Sequence, residues 1–191
     1  KGKYYDTYTF PFVGDHLLLN ALSVITVGYL ENIDKNLLKT GISKIVHAKR
    51  RFIEEKFQSN ILIDDYAHHP QEIEATIKSL KELYPDKRIC GVFQPHLYSR
   101  TRDFAGEFAQ SLELLDDIIL LPIYPAREEP IEGITSDTIL GKIRKSSKYY
   151  VEKDRLLPLL KTLQPELLVT LGAGDIDRFV EPITEMIREN E

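Results

Sequence analysis

From residue 61 to its end, this chain alternates short apolar runs with stretches whose apolar residues recur at helical spacing, and that alternation leaves few folds open. Ile61-Leu62-Ile63 is a run of strand formers. Behind it Ile73, Ile77, Leu80 and Tyr84 fall on one helical face, with Pro70 suited to a first helical turn. Residues 88–93 form a second apolar run, followed by Phe104, Phe108, Leu112 and Leu115 at helical spacing. The pattern continues with a strand over 117–123, a loop over 124–135 holding Pro125 and Pro130, and a helix over 136–145. A strand over 149–151, a helix over 154–163, a strand over 167–171 and a closing helix carrying Ile176, Phe179, Val180, Ile183 and Ile187 complete it. Repeated strand–helix units predict an α/β fold: a mostly parallel sheet with helices on both faces.

The first sixty residues read differently. Residues 4–12 alternate aromatic and polar side chains as a strand does, 15–30 predict an apolar helix, and 34–46 a second helix capped by Asp34. Two helices and one strand make no self-sufficient core, so this region is expected to be the end of something larger. The turn residues Gln58-Ser59-Asn60 place a boundary there, dividing 1–58 from 59–191.

Bulk properties narrow the function classes. No apolar stretch approaches the roughly 18 to 20 residues that span a bilayer, and Lys1-Gly2-Lys3-Tyr4 lacks a signal-peptide core, so a cytoplasmic location without membrane partners is expected. Cys90 is the single cysteine and sits in an apolar run, which excludes an internal disulfide and a thiolate metal site. Residues 1–60 carry net charge +3 and 61–191 net charge −8. An acidic α/β region argues against a nucleic-acid partner, though not against a local anion site.

Two polar clusters open where a predicted strand gives way to a predicted helix: Asp64-Asp65-Tyr66-Ala67-His68-His69-Pro70 and Phe93-Gln94-Pro95-His96-Leu97-Tyr98-Ser99-Arg100-Thr101-Arg102. The carboxyl ends of strands are where open α/β sheets bind ligands. The first cluster admits a plain helix-capping turn, a metal site, or an Asp65 that accepts hydrogen bonds from a ribose or an amine. Metal binding is disfavoured because adjacent side chains of extended chain point opposite ways. In the second, His96, Arg100 and Arg102 are either a solvated basic turn or a grip for carboxylate or phosphate. Leu171-Gly172-Ala173-Gly174-Asp175 is read as a tight strand-to-helix turn, since it lacks the third glycine and the downstream unit of a dinucleotide fingerprint. No G-x-x-x-x-G-K-[ST] loop occurs, and Arg50-Arg51 is by default a solvated basic turn.

Together these motifs, with Glu128-Glu129-Pro130-Ile131, resemble the carboxy-terminal domain of the Mur ligase family, in its UDP-N-acetylmuramate–L-alanine ligase branch. Upstream, Gly14-Asp15-His16 through Asn20-Ala21 and Lys49-Arg50-Arg51-Phe52 resemble the last part of that family's central ATPase domain. The resemblance implies a Rossmann-like amino-acid-binding domain preceded by a short, mainly helical remnant. It implies a reaction in which ATP and magnesium turn the lactyl carboxylate of UDP-N-acetylmuramate into an acyl phosphate that L-alanine attacks, in peptidoglycan precursor synthesis. It would make Asn20, Arg51 and Asp65 nucleotide-binding, contacting adenine, phosphates and ribose respectively. His96 and Arg100 would be catalytic, and His68, His69, His96, Tyr98, Arg100 and Arg102 would hold substrate. No resident metal is implied for this stretch.

Two positions depart from the family pattern. Leu17 follows His16 where an amide is common, and Leu97 stands where some relatives have arginine, leaving the anion grip to Arg100 and Arg102. With the ATP loop, the magnesium ligands and the UDP-binding domain missing, the 191 residues are expected to bind no cofactor tightly and to be inactive without the missing amino-terminal and central domains. The alternatives are the related muramyl-tripeptide recycling ligase and a non-catalytic nucleotide-sensing or interaction module of the same fold.

Overall fold

A computed structural model describes residues 4–11, 15–45 and 50–189. Phe12, Gly14, Val46 and Lys49, which enter the sequence reading, lie outside the described residues. The chain divides into two compact units, Lys1–Ala48 and Lys49–Glu191.

In the first unit, α1 (Asp15–Leu30) and α2 (Lys35–Ser43) form as the periodicity predicts. The Asp34 carboxylate accepts the N–H groups of Asn36 and Leu37, both at 3.0 Å, satisfying two donors that a helix start leaves open. Gly28 lets the helices approach: a Cβ there would lie 2.9 Å from a Leu38 methyl. The strand expected over 4–12 does not form in its described part. A strand needs a neighbour for its backbone groups, and the described residues of this unit supply none. The alternating rings pack instead: Tyr5 meets Tyr29 edge-on at 4.9 Å, the Lys35 ammonium lies 4.3 Å over the Tyr5 ring, and Lys39 pairs with Asp6 at 2.7 Å.

The second unit holds a six-stranded sheet of β1 (Ile53–Lys56), β2 (Ile61–Asp65), β3 (Ile89–Phe93), β4 (Asp117–Leu120), β5 (Lys148–Tyr150) and β6 (Leu167–Leu171), in the order β1-β2-β6-β3-β4-β5. All neighbours are parallel except β1, which runs antiparallel to β2. The turn at Gln58–Asn60, where composition suggests a boundary, is the hairpin joining β1 to β2, closed by the Phe57 N–H on the Asn60 carbonyl.

Helices α3 (Pro70–Leu83), α4 (Tyr98–Leu112), α5 (Asp137–Leu140), α6 (Leu156–Leu163) and α7 (Val180–Arg188) cross between the strands. The helix expected over 136–145 is only the four residues of α5, ending at Gly141. Strand residues alternate between two cores. Ile61, Ile63, Phe93, Ile118 and Val169 pack with α3, α4 and α5, while Leu62, Val92, Ile119 and Leu168 pack with α6 and α7. Gly91 faces the first core because only a glycine fits there: a Cβ would come within 2.3 Å of Leu115.

Candidate active site

The sheet register brings the loops to one level. Asp65, the last residue of β2, pairs with Leu171 at the end of β6, and Leu171 pairs with Phe93 at the end of β3, itself level with Leu120 of β4. The segments that follow these residues therefore leave the same edge, where an open parallel sheet binds ligands.

The loop after β3 is pinned to the loop after β4. The Tyr124 N–H donates to the Pro95 carbonyl at 2.8 Å, and the Leu97 N–H donates to the Tyr124 carbonyl at 2.9 Å. Leu97 is held at φ 73 and ψ 134, a conformation that side-chain-bearing residues rarely adopt, immediately before α4. Glu128 secures the start of that helix by accepting the Ser99 hydroxyl and, at 2.9 Å, the Ser99 N–H. Those bonds hold the Glu128 carboxyl below the usual carboxylate range. One turn on, Arg100 reaches across to the loop after β2, its Nη1 donating to the His68 carbonyl at 3.3 Å.

Aromatic rings line the edge between these loops. Tyr124 stacks on His96 at 5.7 Å, His96 meets His68 at 6.0 Å, His68 meets Tyr66 at 5.1 Å, and the guanidinium carbons of Arg50 and Arg51 lie 5.4 and 5.3 Å from the Tyr66 ring. Burial, with the nearby Arg100 charge and His68, pushes the His96 pKa down, so its ring is neutral at neutral pH. Its Nδ1 is buried without a hydrogen-bond partner.

Arg50 and Arg51 are adjacent in sequence but differ in environment. Arg50 ties the ends of β2 and β6 together, donating to Asp64 at 3.1 Å, to the Gly172 carbonyl at 2.8 Å and to the Gly174 carbonyl at 3.4 Å. Arg51 is 46% exposed and has one distant carboxylate, Glu72 at 3.9 Å. Its guanidinium is therefore available to an anion. Asp65 is 4% exposed, and its two oxygens accept the Ala67 N–H at 3.1 Å and the Thr76 hydroxyl at 2.7 Å.

Glu72 organises the first turn of α3, accepting the N–H groups of His68 at 3.0 Å and His69 at 3.2 Å. Burial opposes its charge, but these bonds, the His68 ring and Arg51 outweigh burial and hold its pKa below the usual range. The Gly172-Ala173-Gly174 turn is the tight turn the sequence predicts. Its glycines let the backbone touch the neighbouring loops, since a Cβ at Gly174 would lie 2.3 Å from Gln94 Oε1 and 2.7 Å from the Tyr124 Cβ. Gln94 locks the turn by donating to Asp175 at 2.8 Å and accepting the Ile176 N–H at 2.9 Å, and Lys153 pairs with Asp175 at 2.6 Å.

Of the residues singled out in the sequence, the fold gathers His68, His96 and Arg100 at one point, with Arg51 beyond Tyr66. His69 turns its ring onto Phe104 of α4 at 5.1 Å. Tyr98 opens α4 half-buried, and its hydroxyl has no hydrogen bond among the described residues. Arg102 is exposed and engaged by Asp103 at 2.7 Å. Asn20 lies exposed on α1 in the first unit. Glu72, Tyr66 and Tyr124 were not singled out. Glu72 at least carried a signal, since an acid three residues after a helix cap is the capping-box position. Among the described residues no group of three or more His, Cys, Asp or Glu side chains could hold a metal ion, and none of the helices is long and apolar enough to cross a membrane. Cys90 is buried in the sheet, its thiol pushed up to about 12.

Residues 50–174 match the family model described as Mur ligase, glutamate ligase domain. The chain belongs to the Mur ligase family. Within the family, it is 43% identical to the UDP-N-acetylmuramate–L-alanine ligase of Parabacteroides distasonis, a match covering 94% of this chain and 42% of that protein. It is 46% identical to the ligase of the same name from Cytophaga hutchinsonii, over 89% of this chain and 37% of the relative. Among solved structures, the UDP-N-acetylmuramate–alanine ligase of Thermotoga maritima superposes with a TM-score of 0.79 at 26% identity, covering all of this chain and 42% of that one. The Psychrobacter arcticus murein peptide ligase shares the fold, with a TM-score of 0.70 at 19% identity over 94% of this chain and 38% of that one. The chain thus spans about two fifths of the length of the Mur ligases it matches.

Proposed function

We propose that this chain is the amino-acid-binding part of an ATP-dependent ligase that joins L-alanine to UDP-N-acetylmuramate through an acyl phosphate, in cytoplasmic peptidoglycan precursor synthesis. The observation that carries this reading is the meeting of His68, His96 and Arg100 at the level carboxyl ends of β2 and β3, beside an available Arg51. Alanine brings a carboxylate and an ammonium, and the acyl phosphate brings two negative charges. A guanidinium suits the carboxylate or the phosphate with paired hydrogen bonds, and the rings exclude water from the amine. In this reading residues 1–48 are the tail of the ATPase domain and 49–191 the ligase domain, a boundary ten residues before the one expected at 58, because β1 pairs with β2 in the ligase sheet.

The donor set fits a nucleotide in part. Arg51 over Tyr66 suits a phosphate, whereas Asp65 is 4% exposed and already accepts the Ala67 N–H and the Thr76 hydroxyl. Bound ATP supplies the phosphoryl group that activates the carboxylate, and magnesium, which favours phosphate oxygens and water over protein cages, neutralises its charge. UDP-N-acetylmuramate, ATP and the remaining domains are the partners this reading requires, and the 191 residues alone should consume no alanine.

The test is Arg100→Ala in the complete ligase. Losing a charge-assisted grip of about 1.5 to 3 kcal/mol should weaken kcat/KM for alanine by roughly 10- to 100-fold and leave the KM for ATP within about twofold. Unchanged alanine kinetics would remove Arg100 from the site.

A further inference from the structure

We propose that His68 is the base that takes a proton from the incoming amine and that the Tyr66 carbonyl, with the Glu72 carboxylate beside the ring, fixes the tautomer that lets it do so; this rests on the ligase reading above. At neutral pH an amino acid arrives as an ammonium, which has no lone pair with which to attack an acyl carbon. Some group must accept that proton. The His68 Nδ1 lies 2.9 Å from the Tyr66 carbonyl and 3.2 Å from Glu72 Oε2. A carbonyl and a carboxylate only accept hydrogen bonds, so Nδ1 carries the ring's proton and Nε2 keeps its lone pair. Nε2 makes no hydrogen bond among the described residues, and the side chain is 22% exposed.

The surroundings fix the ring from several elements. Tyr66 packs against it from its own loop, His96 from the loop after β3, and Arg100 of α4 holds its carbonyl. Glu72 is itself held by two backbone N–H groups of the loop. A carbonyl that takes the Nδ1 proton, a carboxylate beside the ring and an open Nε2 together orient the histidine as a base. Neither other histidine of the cluster offers it. His69 faces Phe104, and His96 has a buried, unpartnered Nδ1 and neighbours that resist a second proton.

In the reaction, one ammonium proton passes to His68 Nε2, and the freed nitrogen lone pair forms the C–N bond at the acyl carbon. As the tetrahedral intermediate collapses, the C–O bond breaks and its electron pair leaves with the phosphate. The second nitrogen proton ends on that phosphate, and imidazolium returns its own to water.

The experiment uses the complete ligase with ATP and UDP-N-acetylmuramate, and two nucleophiles: alanine, and hydroxylamine, which is already neutral at neutral pH and traps the acyl phosphate as a hydroxamate. His68→Asn keeps an amide N–H for Tyr66 and Glu72 but has no second nitrogen to accept a proton. We expect alanine ligation to fall roughly 10²- to 10⁴-fold, the range of general-base catalysis, with hydroxamate formation within about threefold of the unaltered enzyme. Glu72→Gln, which removes the carboxylate's charge, should show the same split to a smaller degree. Equal loss with both nucleophiles, or undiminished alanine ligation in His68→Asn, overturns the assignment. If the unaltered enzyme makes hydroxamate but no alanine adduct, the alanine reading fails and the base assignment falls with it; the two failures are told apart by which protein shows them.

Discussion

At the scale of the residue, Asp65 is a carboxylate whose work is visible without any ligand. It is buried, and it joins the loop after β2 to α3 through Ala67 and Thr76. Asp65→Ala would strand both donors in the interior. Leaving buried groups unsatisfied costs about 1 to 3 kcal/mol, so the variant should unfold at lower denaturant in the absence of any nucleotide. A residue that served only a ribose would leave the midpoint where it was. Sequence singles out Asp65 by its place where a predicted strand gives way to a helix, but Thr76 lies eleven positions away and only the helix brings it back. The Arg50-Arg51 pair makes the same point. Composition and spacing do not separate the two, and only the family resemblance picks Arg51, whereas the fold spends Arg50 on the Gly172 and Gly174 carbonyls and leaves Arg51 to face outward.

At the scale of the element, the strand-to-helix units were legible wherever a strand is buried on both faces, because such strands carry a nearly continuous apolar run. All five residues of β2, β3 and β6 are buried. β1 escaped because an edge strand has no such requirement: Ile53-Glu54-Glu55-Lys56 is mostly exposed and charged, the composition that keeps an edge from pairing with another chain. Residues 4–12 failed in the opposite sense, having the alternation without a neighbour. Glycine is the element-scale determinant of the site, because the turn after β6 must lie against Gln94 and Tyr124. Gly174→Ala would push a methyl into both, and overpacking of this kind costs about 1 to 3 kcal/mol. Gly106, inside α4 with nothing within 4 Å of an added Cβ, is the control: alanine there should stabilise by about 0.5 to 1 kcal/mol. Thermal melts of the two variants should move in opposite directions, and a Gly174→Ala melt equal to the parent's would show that the turn tolerates the methyl.

At the scale of the whole molecule, the two units differ in how much they bury. Among the described residues of the first unit only Ala21, Leu38 and Ile42 are buried apolar side chains, and α1 exposes Leu18, Leu19, Leu22, Val24, Val27, Tyr29 and Leu30. The second unit has a core on each face of its sheet. The sequence announced this imbalance, since an apolar helix beside one partner helix leaves most of its surface uncovered, though it could not say which residues the partner covers. Backbone amides exchange with solvent by local opening where few apolar contacts oppose it, and only by global unfolding in a well-packed core. Hydrogen exchange of the 191-residue chain should therefore find the amides of β2, β3 and β6 protected to nearly the full unfolding free energy. Those of α1 and α2 should exchange orders of magnitude faster, through openings that leave the sheet intact. Adding denaturant well below the main transition should hardly change the rates in the helices, because local opening exposes little new surface, while the strand amides speed up in proportion to the surface that global unfolding exposes. If α1 were as slow as β6 and equally sensitive to denaturant, the helices would be unfolding only with the sheet, and the division of the chain into units of unequal stability would be wrong.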